Sequence, residues 1–154
     1  MKAVVQRVKN ASVSVEGELK GAISRGLLVY LGVADSDSEK DAQWMAEKIA
    51  NLRIFEDSEE KMNLSILDIV KHSGIEEGEI GVLAISQFTL LADAKKGRRP
   101  YYGAAAEIGK ANSLYESFMN KIREQGLICE AGVFQARMKN VRTRGILFRF
   151  LTRS

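Results

Sequence analysis

The sequence predicts an α/β fold in which two packed β-sheets form a barrel-like core, with two main helices on one side. Three observations support this prediction. Residues 1–33 are rich in β-branched side chains and in part alternate at period two, which is typical of successive strands. Residues 82–85 are an apolar run of the length expected for a strand buried on both faces. Two further segments, 39–51 and 104–125, repeat apolar residues at helical spacing.

Length and composition indicate a single domain over residues 1–154. Of its residues, 45% are apolar and 28% are charged, as in an ordinary globular protein. No apolar run approaches the roughly 18 residues of a membrane span, and the N-terminus lacks the apolar core of a signal peptide. The single cysteine, Cys129, excludes an internal disulfide framework and favours a reducing compartment. We therefore expect a cytoplasmic protein.

The net charge of +3 is unevenly distributed. Residues 131–154 contain six basic residues and no acidic one, so removing those six charges from +3 leaves −3 on the first 130 residues. The surface of the main body is therefore not generally basic. Its cations are concentrated in residues 95–99 and in the tail.

The N-terminal half begins with strands and then changes to a helix. Glu16 and Gly17 suit a hairpin turn between two strands. Residues 36–39, Ser-Asp-Ser-Glu, match a capping box, which predicts a helix that ends near Asn51. Trp44 is expected at the edge of its apolar face. That face predicts core packing and consists of Ala42, Met45, Ala46 and Ile49.

Patterns are weaker between this helix and the next strand. Residues 52–55 are predicted as a strand and residues 57–61 as a polar turn, whereas residues 62–70 have no clean period. Residues 71–81 contain glycines and three glutamates and are predicted as an exposed loop that includes His72.

The second long helix is predicted from about residue 104 to residue 125, with Gly126 as its cap. A strand follows at residues 127–130, where Cys129 is expected to be a buried apolar side chain rather than a thiol nucleophile. The core face of the helix is Ala111, Leu114, Phe118 and Ile122.

Residues 81–100 combine a buried strand with a polar and then basic end. Ser86 and Gln87 follow the apolar run, and Thr89 alternates with apolar neighbours, so we expect an extended chain that turns polar side chains toward an opening. A basic and aromatic segment comes next and fits a phosphate backbone with bases or a sugar nearby. One interpretation is a nucleic-acid-linked active site, and the other is a solvated basic loop after an ordinary core strand. The segment contains Lys95, Lys96, Arg98, Arg99, Tyr101 and Tyr102.

The residue inventory limits the chemistry of such a site. One histidine and one cysteine cannot build a three-histidine or Cys-Cys-His zinc site. The sequence contains the residue types for a Ser-His-Asp triad that would use Ser86 and His72. A histidine in a polar loop, however, is more often solvated than catalytic. Thr89 as a covalent nucleophile has no predicted base beside it.

Several blocks of the sequence carry a specific resemblance. The pentapeptide SQFTL at 86–90 and the run KGRRP at 96–100 resemble signature segments of the D-aminoacyl-tRNA deacylase family, which includes the D-tyrosyl-tRNA deacylases. The match runs in order from residue 1 to about residue 138, and the tail from about residue 139 departs from it. Further matching blocks are MKAVVQRV at 1–8, GLLVYLGV at 26–33 and NLRIF at 51–55.

The resemblance implies hydrolysis of the ester that joins a D-amino acid, or a mischarged glycine, to the terminal ribose of a tRNA. Such an ester is already activated, so oriented water and a preorganised oxyanion site suffice, with no cofactor and with help from the ribose 2′-hydroxyl. Phe88 and Phe134 are the surfaces on which the terminal adenine would stack. The resemblance also implies a homodimer with active sites near the interface. Its residue assignments are Ser86, Gln87, Phe88 and Thr89 for catalysis, Phe134, Ala136, Met138 and Arg7 for substrate binding, and Lys95, Lys96, Arg98 and Arg99 for tRNA.

The tail lacks the element that selects chirality in the family, an Asn-X-Gly-Pro-Val-Thr segment inserted from one subunit into the pocket of the other. Here Ile146 follows Gly145, and Pro100 is the only proline. Three explanations are open: a divergent member without the filter, a change of reading frame near Met138, and a basic tail recruited for tRNA contact. The alternative functions are a tRNA-end-binding protein with weak or lost chiral selectivity and a hydrolase of small esters that uses Thr89 or Ser86.

Overall fold

The computed structural model of the chain describes residues 1–72, 80–95, 97–135 and, as backbone, 140–148. None of the helices among these residues combines the length and apolar character needed to span a bilayer. The helices are α1 (Glu39–Ala50), α2 (Ile66–His72) and α3 (Ile108–Glu124), with a 3-10 helix at Phe88–Leu91. The strands are β1 (Lys2–Val15), β2 (Glu18–Ile23), β3 (Gly26–Gly32), β4 (Phe55–Glu56), β5 (Met62–Leu64), β6 (Gly81–Ser86), β7 (Ile128–Ala131) and β8 (Asn140–Phe148).

One six-stranded sheet forms the centre of the molecule. β1 pairs antiparallel with β2, β3 and β8, while β6 pairs parallel with both β3 and β7. The sheet curls until β2 contacts β6 and β7. At that contact a Cβ atom on Gly21 would lie 2.7 Å from the carbonyl oxygen of Ala131, so only glycine permits the approach. The predicted α/β fold with a barrel-like core is confirmed, and β4 and β5 form a separate two-stranded ribbon.

Both faces of the central strands are buried. Leu27, Val29 and Leu31 of β3 belong to an apolar cluster that also contains the core residues of α1 and α3. Leu28 belongs to a second cluster on the other face of the sheet, together with residues of β1, β2 and β6. Burial on both faces explains why β3 and β6 are continuous apolar runs rather than alternating ones. Because both long helices pack into the first cluster, the predicted position of two helices on one side is confirmed.

The predicted hairpin and first helix are present. Glu16 and Gly17 connect β1 to β2 with positive φ angles of 52° and 88°, as a tight hairpin requires. The capping box of α1 uses Ser38 and Asp41, two residues later than predicted: the Asp41 carboxylate accepts hydrogen bonds from the Ser38 backbone N–H at 2.9 Å and from its hydroxyl at 2.7 Å. Asp37 is instead buried and pairs with the α-ammonium group of Met1.

Four local predictions are wrong. Residues 88–91 are not extended but form the 3-10 helix, because β3 ends at Gly32 and leaves no strand partner beyond Ser86. Of residues 52–55, only Phe55 lies in a strand. His72 ends α2 rather than lying in a loop, and residues 73–79 of that predicted loop lie outside the described residues. Residues 62–70, for which no element was predicted, contain β5 and the start of α2. The second long helix begins at Ile108, not near residue 104.

Candidate active site

The carboxyl ends of the parallel strands β3 and β6 border a cavity of about 580 Å³. Crevices at this edge of parallel sheets are the usual position of ligand sites in α/β proteins. The cavity has mostly apolar walls, as binding pockets commonly have. Its lining residues are Tyr30, Val33, Ile85, Ser86, Gln87, Phe88, Ala105, Ala106, Ile108, Ala111, Phe134 and Gln135.

The first wall is the end of β6 and the start of the 3-10 helix. The Gln87 N–H donates a 2.8 Å hydrogen bond to the Leu31 carbonyl oxygen, which continues the pairing with β3 by one residue. The next two N–H groups, of Phe88 and Thr89, belong to the first turn of a helix and so have no intrahelical acceptor. Within the described part of the chain, neither group donates to a main-chain oxygen outside the helix. Phe88 lines the cavity and Thr89 is the next residue beyond the lining, so this wall combines the Ser86 and Gln87 side chains with the main-chain donor of Phe88.

A second wall is the extended segment before α3. The Ala106 N–H donates to the Val33 carbonyl oxygen at 2.9 Å, and the Asp35 N–H donates to the Ala104 carbonyl oxygen at 3.0 Å. These bonds attach the segment to the end of β3, so Ala105 and Ala106 face the cavity as extended chain. The sequence pattern did not indicate this wall, because an alanine-rich stretch before an amphipathic helix resembles the first turn of that helix.

The third wall follows β7 and carries Phe134 and Gln135. The Phe134 ring packs against the Tyr115 ring with centroids 5.9 Å apart. Tyr115 is itself buried and donates its hydroxyl proton to the Ala84 carbonyl oxygen at 2.8 Å. The Gly132 N–H donates to the same oxygen at 3.2 Å. The wall is thereby fixed to β6 from two directions.

Aromatic side chains stand at the rim of the cavity. Phe88 is 58% exposed and contacts the ring of Tyr102 edge-on, with centroids 5.3 Å apart. An exposed phenyl ring supported by a second aromatic is a suitable platform for a flat base.

The basic segment forms an exposed loop next to this rim. Asp93 and Tyr101 exchange two backbone hydrogen bonds of 2.8 Å, which close the base of the loop. Lys95, Arg98 and Arg99 are exposed on it, and Lys96 lies outside the described residues.

The remaining predicted site residues are placed apart from the cavity or are not described. Arg7 donates to the Ile54 carbonyl oxygen and to the Glu56 carboxylate, both at 2.9 Å, and does not line the cavity. The exposed Thr89 side chain likewise is not part of the lining. Ala136 and Met138 lie outside the described residues. The structure therefore brings Ser86, Gln87, Phe88 and Phe134 together with Gln135, and it adds residues such as Tyr30 whose pattern gave no separate signal.

Among the described residues that line the cavity, Tyr30 is the titratable side chain, and burial raises its pKa. Burial raises the pKa of the Cys129 thiol to about 12, and burial also raises the pKa of Tyr115 well above its ordinary value. The prediction that Cys129 is a buried apolar side chain is confirmed. The His72 ring lies 2.6 Å from the Asp68 carbonyl oxygen on α2, and it does not line the cavity beside Ser86. Within the described residues, no group of three or more His, Cys, Asp or Glu side chains is placed to hold a metal ion.

The tail continues the sheet. In β8, Gly145 pairs with Val8 and Ile146 pairs with Arg7 in antiparallel register. Residues 146–148 are the last three residues of this strand. The Gly145–Ile146 step is thus part of the pairing with β1.

A barrel-like α/β fold with an apolar cavity, exposed aromatic rings and a basic loop defines a protein that can receive a nucleic-acid-linked substrate. The family model for D-Tyr-tRNA(Tyr) deacylase matches residues 4–145, and the chain belongs to this family. It is 56% identical to a D-aminoacyl-tRNA deacylase of Koribacter versatilis (strain Ellin345) over 138 residues, 90% of this chain and 87% of that protein. It is 50% identical to a D-aminoacyl-tRNA deacylase of Thermotoga petrophila (strain ATCC BAA-488 / DSM 13995 / JCM 10881 / RKU-1), again over 90% of this chain and 87% of that protein.

Solved structures agree on the fold. The chain superposes on the c-Myc DNA Unwinding Element Binding Protein with a TM-score of 0.86 and 35% identity over the full length of both chains. It superposes on a probable eukaryotic D-amino acid tRNA deacylase with a TM-score of 0.73, covering 97% of this chain and 98% of that one. At 16% identity, the second likeness shows the fold alone.

Proposed function

We propose that this protein hydrolyses the ester bond of D-aminoacyl-tRNA and releases the free D-amino acid and tRNA. The observation that carries the proposal is the first wall of the cavity, where Ser86, Gln87 and Phe88 end β6 beside main-chain donors of the 3-10 helix. The family to which the chain belongs supports the same reaction. Mischarged glycyl-tRNA is a second substrate of the same kind, since glycine has no side chain to exclude.

The reaction needs a water molecule and a place for negative charge. The water oxygen bonds to the ester carbonyl carbon, and the carbonyl oxygen becomes an oxyanion that accepts hydrogen bonds from the Phe88 and Thr89 N–H groups. The bond from carbon to the ribose oxygen then breaks, and that oxygen takes the proton that the water gives up. The neighbouring ribose hydroxyl relays this proton. Fixed main-chain donors need no reorganisation during the step, so no metal or cofactor is required by this scheme.

The surroundings of the cavity suit the end of a tRNA. Phe88 and Phe134 offer ring faces for the terminal adenine, and single-stranded bases gain about 1–3 kcal/mol each from such stacking. Lys95, Arg98 and Arg99 lie on the exposed loop, where they would contact backbone phosphates. We further propose a cytoplasmic homodimer with its active sites near the interface.

A second candidate is a tRNA-end-binding protein with weak or lost chiral selectivity. Gly145 and Ile146 pair regularly with β1, so this part of the chain has no separate role in excluding L side chains. That pairing favours the second candidate, in which chiral selectivity is weak or lost. The two candidates share the cavity and differ in the hydrolytic step.

The test is the release of D-tyrosine from D-tyrosyl-tRNA by the purified full chain, with and without EDTA. We expect release in both conditions. Phe88→Ala should lower kcat/KM several-fold, whereas Leu19→Ala is a matched control because Leu19 is similarly exposed at 64% but does not line the cavity. Activity that disappears in EDTA and returns with Zn²⁺ would refute the metal-free scheme. Tight tRNA binding without hydrolysis would favour the second candidate.

A further inference from the structure

Gln135 has an unusual backbone conformation at the cavity. Its φ angle is +63°, in the left-handed region that side chains other than glycine rarely adopt. Two other described non-glycine residues, Glu16 and Glu60, share this feature, and both lie in tight turns between paired strands. Of the three, only Gln135 lines the cavity.

The conformation has a cost that glycine would avoid. A residue with a Cβ atom is less stable in the left-handed region than glycine is, by about 1–2 kcal/mol. Residues held in such strained conformations persist where the surrounding structure maintains them, and they cluster at active sites and ligand sites. We therefore expect the Gln135 side chain to contact a ligand in the cavity.

The chemistry of the third wall indicates that role. Phe134 presents a ring that is supported from behind by Tyr115, and Gln135 is the next residue on the same wall. The other carboxamide at the cavity, Gln87, stands on the β6 wall. A carboxamide offers one acceptor and two donor hydrogens in a plane, which matches the N6 amino group and N7 of adenine. A stacking ring next to a carboxamide is a typical arrangement for recognising an unpaired base.

We propose that Gln135 is a specificity-determining residue that hydrogen-bonds the N6–N7 edge of the terminal adenine while Phe134 stacks on its ring. This inference rests on the proposed function, because it takes a tRNA 3′ end as the ligand of the cavity. It adds a hydrogen-bonded reading of the base edge to a site whose other proposed contacts are stacking on the base, hydrogen bonds to the ester and contacts to the phosphates.

The experiment compares two non-hydrolysable probes: adenosine with D-tyrosine in amide linkage at the 3′ position, and the same compound with purine in place of adenine, which lacks the 6-amino group. Wild-type protein should bind the adenine probe about two- to tenfold more tightly, the range of one net hydrogen bond, because purine keeps N7 and lacks only the amino group. Gln135→Gly should bind both probes equally. The ratio of the two affinities should therefore fall from its wild-type value to about one in this variant.

Glu60→Gly is the matched control, because it replaces a residue of nearly the same φ, +61°, in an exposed turn. Both glycine variants relieve the strained backbone, so Tm should rise by about 2–4 °C in each. Only Gln135→Gly should lose the preference for adenine. Equal preference in wild type and Gln135→Gly, no preference in the wild type, or a lower Tm in Gln135→Gly would each overturn the inference.

The two proposals fail in different ways. If the wild type does not release D-tyrosine from D-tyrosyl-tRNA but still prefers the adenine probe, the hydrolytic function is wrong and the role of Gln135 stands. If it releases D-tyrosine but does not distinguish the probes, the function stands and the role of Gln135 is refuted.

Discussion

The Tyr115 hydroxyl donates a 2.8 Å hydrogen bond to the carbonyl oxygen of Ala84, two residues before the polar end of β6. The same tyrosine supports the Phe134 ring on the opposite wall. One buried side chain of α3 thus connects the strand that carries the proposed oxyanion site with the wall proposed to hold the adenine. Its hydroxyl and its ring have separable roles.

Tyr115→Phe and Tyr115→Ala should separate these roles. Tyr115→Phe removes only the hydrogen bond, and Ala84 still accepts from the Gly132 N–H, so the free energy of unfolding should fall by about 0.5–1.5 kcal/mol with KM unchanged. Tyr115→Ala also removes the support of Phe134 and should cost about 3–5 kcal/mol and raise KM. Denaturant unfolding and steady-state deacylation measure both effects. Equal KM values for the two variants would show that the ring does not position Phe134.

Cys129 gives a prediction on alkaline stability. Burial raises the pKa of its thiol from 9.0 to about 12, so the unfolded chain gives up the proton at lower pH than the folded one. The stabilisation is complete below about pH 9, the unshifted pKa of the thiol, and is lost as pH rises toward 12. Wild type should lose up to about 1.4 kcal/mol per pH unit more than Cys129→Ala across this window. Urea unfolding at pH 8, 9, 10 and 11 measures the difference, and parallel curves for the two proteins would contradict it.

The basic loop gives a prediction on salt dependence. Arg98→Ala combined with Arg99→Ala should weaken tRNA binding and reduce the slope of log K against log salt by about 1.4–1.8, since each phosphate contact contributes about 0.7–0.9. The control pair is Lys9→Ala with Lys48→Ala, two exposed lysines on β1 and α1. Titrations between 50 and 200 mM salt measure the slopes. An unchanged slope in the arginine pair would mean that the loop is structural.

Much of the fold could be predicted because local patterns and tertiary packing agree. The apolar runs of β3 and β6 are buried on both faces, and the Glu16–Gly17 turn has the positive φ angles that its composition suggests. Patterns failed where tertiary contacts decide. The alternation of Phe88, Thr89 and Leu90 resembles a strand, but the neighbouring strand ends at Gly32, and the chain turns into a 3-10 helix that buries Leu91.

The site was partly predictable for the same reason. Ser86, Gln87 and Phe88 follow directly from a strong strand pattern, so their position at its open end could be inferred. Ala105 and Ala106 could not, because only their hydrogen bonding to the end of β3 makes them a wall. The short helix α2 had a local signal in Ser65 and Asp68, whose side chains cap it, but its length of seven residues gave no periodicity.

The preference for D over L esters depends on the tail. The step that would carry a filter, Gly145–Ile146, lies in regular pairing with Val8 and Arg7 of β1, and the described peptide bonds are trans. Selectivity that comes from steric exclusion disappears when the excluding element is missing, unlike selectivity spread over many weak contacts.

We therefore expect protein with this C-terminus to hydrolyse D- and L-tyrosyl-tRNA at similar rates. The measurement is the ratio of the two deacylation rates, on protein whose mass confirms residues 139–154. Ile146→Pro is the companion variant, since proline at this position restores the Gly-Pro pair of the family resemblance. Because proline cannot donate a hydrogen bond to β1, the variant must first be shown to retain a cooperative unfolding transition. A strong preference for the D ester in the unmodified protein would show that another segment excludes the L side chain, and the assignment of chirality to the missing Gly-Pro pair would then be wrong.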